Sequence, residues 1–114
     1  MPKDDHVYVG HMLERAEKAS ALTSEDRAAY DEDEVLRLAL TRLVQTVGEA
    51  ARHVSRKFRE DHPQIPWRAV VGMRHKVVHD YMNVDEDILW DTVTNELPPL
   101  IEELKNILPS EEGA

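Results

Sequence analysis

Within GMRHKVVHDYMNV, residues 72–84, an arginine, two histidines, a lysine, an aspartate and a tyrosine crowd around a pair of valines. Histidine titrates near neutrality, so His79 can take up and return a proton. Arginine stays charged and grips phosphate with a planar fork, which suits Arg74 to an anionic substrate. One of each is a minimal set for breaking an RNA phosphodiester without a metal ion. The substrate's own 2′-OH attacks, the imidazole moves the protons, and the guanidinium stabilises charge on the phosphorane-like transition state. No serine or cysteine nucleophile is then needed. Tyr81 suits the orientation of a phosphate or stacking on a base. Asp80 suits fixing a histidine tautomer or capping a helix end.

Each residue also has a plainer reading. A histidine beside valines is commonly structural, and an aspartate near a helix end is commonly a hydrogen-bonder for the backbone. Trp67 and Trp90 read as core residues. His75 and His79 form H-x-x-x-H, which on a helix turns two imidazoles to one face and can hold a metal. The zinc-protease pattern is absent because Lys76 follows His75, and a lysine beside a divalent ion is unfavourable. No metal and no other cofactor is expected.

Spacing sets a geometric problem. Arg74 and His79 are five residues apart, about 140° around a regular helix. They converge poorly on one small substrate. Either the helix loosens near His79 or a second subunit completes the site.

The charge pattern bears on the same segment. The 114-residue chain has a formal net charge of −9, which taken alone disfavours a nucleic-acid partner. Yet Arg52, Arg56, Lys57, Arg59, Arg68, Arg74 and Lys76 fall in one stretch that holds only Glu60 and Asp61 as acids. A local positive field can bind a polyanion on an acidic protein. Arg52, Arg56, Lys57 and Arg59 are therefore candidates for guiding an RNA backbone, with a merely solvated helix face as the alternative.

The elements that must position these groups read as helices. The fold class expected is all-α, a bundle of four to five helices without a convincing strand. The first helix is expected from about Asp5 to Ser20, with Tyr8, Met12, Ala16 and Ala19 on one face. TSEDRAAYDEDE reads as a polar link with at most a short helical turn. A long second helix follows, its apolar face running Leu36, Leu40, Leu43, Val44, Val47, Ala51, Val54 and Phe58. Gly48 within it is either a close-approach point for another helix or a tolerated glycine. Pro63 and Pro66 separate it from a third helix, expected from Trp67 to about His79. Asp85 is the expected N-cap of a fourth. Pro98 and Pro99 are expected to break or kink the chain before a last helix holding Leu100, Ile101, Leu104, Ile107 and Leu108. Residues 1–108 are expected to form one helical domain, and 109–114 a flexible tail. The chain has no cysteine, so it forms neither a disulfide nor a thiolate metal site. With no leader-like or membrane-spanning apolar run, a cytoplasmic location without membrane association is expected.

The motifs TVGEAARHVSRKF and HPQIPWRAVVGMRHKVVHDYMNVDEDILWDTVTNELPPLIEEL, in that order, resemble the HepT family of the HEPN superfamily of toxin ribonucleases. The R-x4-H-x-Y signature falls on Arg74, His79 and Tyr81, and the likeness covers most of the chain. It implies a HEPN-like helical fold that dimerises around the motif helix, with two copies of the motif meeting at the interface. It implies metal-independent RNA cleavage by Arg74 and His79. It also implies a partner, a minimal nucleotidyltransferase antitoxin that silences the toxin by AMPylation of Tyr81. An AMP there would bring bulk and negative charge into a site built for a phosphodiester. The residue after the motif arginine is commonly asparagine in the family and is His75 here, which makes His75 a secondary site residue. The alternative function is a non-catalytic HEPN module that binds a nucleotidyltransferase.

Overall fold

A computed structural model describes residues 4–23, 26–80 and 83–108, and gives only the backbone course at positions 79, 80 and 83. Helix α1 spans Asp5–Leu22, α2 Arg27–Glu32, α3 Glu34–Arg52, α4 Arg56–Asp61 and α5 Trp67–Val77. A small antiparallel ribbon follows, β1 Val78–Asp80 and β2 Asn83–Val84. Helix α6 (Glu86–Asp91) runs through a π turn (Thr92–Glu96) into α7 (Leu97–Ile107). The fold class is all-α as read from the sequence, with this ribbon as its one departure among the described residues.

Helix α3 is the centre of the bundle. It packs along α1 on one side and α5 on another, and α1 in turn packs against α7. The three-and-four spacing of its apolar residues is the cause: Leu40, Leu43, Val44, Val47 and Ala51 are all buried, with Leu36 packed at the edge. Met12, Ala16 and Ala19 of α1 and Val70, Met73 and Val77 of α5 join this face in one core, which Leu97, Leu100 and Leu104 of α7 extend from the α1 side.

Capping residues set the ends. Asp4, Asp33, Ser55 and Asp85 accept backbone N–H groups at the starts of α1, α3, α4 and α6. The long second helix stops at Arg52, six residues before Phe58, where the apolar spacing had carried it. The Ser55 hydroxyl accepts from Phe58 N at 3.2 Å and donates to the Asp5 carboxylate at 2.7 Å, so Ser55 begins a new helix. The Arg59 guanidinium then turns back to the carbonyls of Ala51 and Arg52 and closes the end of α3.

The polar link also contains a helix. Asp26 caps α2, and the ring of Tyr30 is buried against Trp90 with centroids 5.0 Å apart. Its hydroxyl donates to Glu86 Oε1 at 2.7 Å. Arg27 bridges Asp31 at 2.9 Å and Asp87 at 2.8 Å, and Arg37 lies 3.5 Å from Glu86. Helix α2 is thereby bound to the start of α6.

Burial and the hydrogen bond to the Glu86 carboxylate push the Tyr30 phenol well above the ordinary tyrosine range. An acid whose native pKa is raised favours the fold below its unfolded pKa and ceases to do so as pH rises beyond it. The contribution of Tyr30 is therefore expected to be level up to about pH 10 and to fall above it as the unfolded phenol ionises. Tyr30→Phe should cost about 1–2 kcal/mol at neutral pH and flatten that alkaline fall. Urea unfolding at neutral and alkaline pH tests this, and an identical alkaline slope in both proteins would contradict it.

Candidate functional site

Arg74 lies in the last turn of α5, exposed, on the side facing α3. Its position depends on one small residue. A Cβ placed on Gly48 would sit 3.1 Å from the Val70 carbonyl oxygen and 3.3 Å from that of Val71. Helices α3 and α5 thus meet backbone to backbone, and Gly48 is the close-approach point rather than a tolerated glycine. One residue further along α3, the Glu49 carboxylate reaches both ways. It holds Arg74 Nη1 at 3.5 Å and Arg52 Nη2 at 3.0 Å.

Around this pair lies a groove of about 340 Å³ lined by Arg42, Gln45, Thr46, Glu49 and Arg74. Arg42 and Arg74 line the groove with Glu49, which also pairs with Arg52, so the balance is positive. Lys76 is drawn to Glu96 in the π turn at 2.7 Å.

Helix α5 ends at Val77, two residues short of the expected boundary. Val78 has φ −114° and ψ 110°, and the chain from it to Asp80 is extended. Val78 pairs with Val84 and Asp80 with Asn83, with a bulge between, and Asp85 N donates to the Val77 carbonyl at 2.8 Å. His79 is therefore released from the helical angle that separated it from Arg74. For the same reason His75 and His79 do not share a helix face. His75 itself is exposed. Among the described residues no three His, Asp or Glu side chains gather as a metal site. Tyr81 lies outside the described residues.

The basic cluster is divided. Arg52 joins Arg74 through Glu49. Arg56 and Lys57 sit on the outer side of α4 beside Glu60 at 3.7 Å and Asp61 at 3.3 Å, while Arg59 closes α3. Arg42 lines the groove although it lies outside the basic stretch. The signal for it was the α3 face Val35, Leu38, Arg42, Gln45, Glu49 and Arg52, spaced alternately by three and four. Trp67 is core, with its indole N–H donating to the His62 carbonyl at 2.9 Å, and Trp90 is half-buried.

The helical bundle and the Arg74 segment correspond to a family of known proteins. Residues 12–107 match the family model described as "HepT-like: Ribonuclease HepT-like". The chain is 34% identical over 113 residues to "Putative RNase TTE0752" of Caldanaerobacter subterraneus subsp. tengcongensis, covering 96% of this chain and 98% of that protein. It is 30% identical over 117 residues to "Putative RNase MJ0127" of Methanocaldococcus jannaschii, covering 99% and 95%. Over 68 residues it is 38% identical to "Probable ribonuclease HepT" of Thermococcus cleftensis, covering 60% and 62%. The chain belongs to the HepT-like ribonuclease family of the HEPN superfamily. No solved structure matches it. No helix among the described residues is long and apolar enough to cross a membrane.

The close contact at Gly48 carries a prediction. Gly48→Ala gains about 1 kcal/mol of helix propensity but presses on two backbone carbonyls that cannot swing aside. Gly48→Val adds methyl groups to the same collision and should destabilise the protein by about 2 kcal/mol or more. The denaturation midpoint should fall in the order wild type, alanine, valine. A valine variant with the wild-type midpoint would mean that the two helices can move apart freely.

Proposed function

We propose that this protein is a toxin ribonuclease that cleaves RNA without a metal ion. Arg74 binds the scissile phosphate and stabilises charge on its oxygens in the transition state. His79 is the general acid and base. The observation that carries this reading is the end of α5 at Val77, which frees His79 from the helical angle while Arg74 stays fixed beside its groove. Arg42 and Arg52 steer the RNA backbone toward Arg74, with Arg56 and Lys57 as outer contacts. Family membership supports RNA as the substrate.

The active form in this reading is a homodimer. Val35 is 76% exposed and Leu38 63%, on the same face of α3 as Arg42, Gln45 and Glu49. A second copy covering these apolar side chains would bring two Arg74–His79 segments to one cleft. Tyr81, one residue past Asp80, is the control point, and a nucleotidyltransferase partner adds AMP to it and blocks the cleft with bulk and charge. His75 and Asp80 act beside the catalytic pair, and His75 is expected to affect its pH profile. The protein works in the cytoplasm, where RNA and the partner are at hand.

The test is RNA cleavage by purified protein in excess EDTA, with intact mass confirming that Tyr81 carries no AMP. Wild type should cut, and Arg74→Ala and His79→Ala should each be at least about 100-fold slower while light scattering still reports a dimer. His79→Ala cutting at the wild-type rate would refute the mechanism. Absence of cleavage by the unmodified wild type across several RNA classes would point to a binding module instead.

A further inference from the structure

On the far side of Glu49 from Arg74 lies a second groove, of about 200 Å³. Thr46 and Glu49 line both, so the two grooves adjoin along α3. The second is built differently from the first. The rings of Tyr8 and His53 stack with centroids 5.1 Å apart and planes 20° from parallel. His11 meets Tyr8 edge-on at 6.3 Å, and Arg15 lies at the rim. Ala50 gives a small floor. Tyr8 is half-buried, whereas His53 is exposed.

We propose that Tyr8, His11, Arg15 and His53 form a subsite for one nucleotide of single-stranded RNA, adjacent to the phosphodiester held at Arg74. This rests on the ribonuclease reading for its substrate. Three features select the occupant. The Tyr8–His53 pair is already a two-ring stack whose exposed member can take a base on its open face. Arg15 and His11 supply donors for the sugar–phosphate of that nucleotide. The groove shares Thr46 and Glu49 with the arginine-lined one, so the next nucleotide of a strand with its phosphate at Arg74 lies beside it. Stacking is tolerant of base identity, so the subsite favours single-stranded RNA generally and not one sequence.

The test is fluorescence anisotropy with a labelled 2′-O-methyl octanucleotide of mixed sequence, which lacks the attacking hydroxyl, and with an abasic oligomer of equal phosphate count. Wild type should bind the base-bearing oligomer about fivefold to a hundredfold more tightly than the abasic one. Tyr8→Ala and His53→Ala should lose most of that preference, and Tyr8→Phe should keep it. Arg15→Ala should weaken both oligomers alike. His53 is exposed, so its variant tests the subsite even where Tyr8→Ala fails to fold. If His53→Ala and a folded Tyr8→Ala keep the full preference, or wild type shows none, the subsite does not exist. The two readings separate cleanly. A Tyr8- and His53-dependent preference in a protein that cuts no RNA would sustain the subsite and sink the nuclease. Arg74-dependent cleavage without the preference would do the reverse.

Discussion

The approach of α3 to α5 at Gly48 is the constraint on which the rest depends. Helices separated by ordinary side chains would leave Glu49 short of Arg74. With no side chain at position 48, the α5 carbonyls come within van der Waals reach of α3, and the carboxylate next door is shared between Arg52 and Arg74. The groove, its positive balance and the placement of Arg74 all follow from that one contact. Because the helices meet backbone to backbone at this point, with Val70, Met73 and Val77 packed beside it, the helix that carries Arg74 is set close against α3.

Around this contact the chain is tied at several distant points. Asp5 at the start of α1 accepts from both the backbone N–H and the hydroxyl of Ser55, which fixes the α3–α4 turn. Tyr30 and Arg27 bind α2 to α6. Asp85 N closes the ribbon onto the last carbonyl of α5. The His79 backbone thus leaves α5 directly into a ribbon whose second strand is followed by a tie back to Val77.

Much of this was legible in the sequence, and the exceptions have physical causes. The apolar stripe of α3, the Asp85 cap and the Trp67 start are local signals, and periodicity and capping chemistry report them directly. The break after Arg52 was hidden because Val54 and Phe58 continue the helical spacing by chance of packing. The cause is Ser55 bound to Asp5, a residue 50 positions away. Helix α2 was hidden because its burial rests on a single ring, Tyr30, and on ion pairs to α6. The end of α5 at Val77 was hinted at by the paired valines, which suit extended backbone, but propensity alone did not place it. At the candidate site, Arg74 was singled out by type and spacing, and the structure sets it beside the α3 groove. Arg42 and Glu49 were not, because their partnership with Arg74 exists only once two helices have docked.

The π turn at Thr92–Glu96 has a consequence for phase. Through the turn the core contacts of the last rod fall at Leu89, Val93 and Leu97, a step of four, before Leu100, Ile101 and Leu104 resume ordinary helical spacing. On an α-helix each such step overshoots a full turn by about 40°, so the two of them would carry the stripe off the core. The wider turn takes up part of that drift in the middle of the run, where the backbone N–H of Leu97 bonds to the Thr92 carbonyl five residues back. The rod therefore stays in step with α1 and α5 across the two prolines, without being cut into two helices. The same turn presents Glu96 to Lys76 on α5. What looks in the sequence like a helix stop is a correction of angle, and it lets one continuous element brace both the first helix and the helix that carries Arg74.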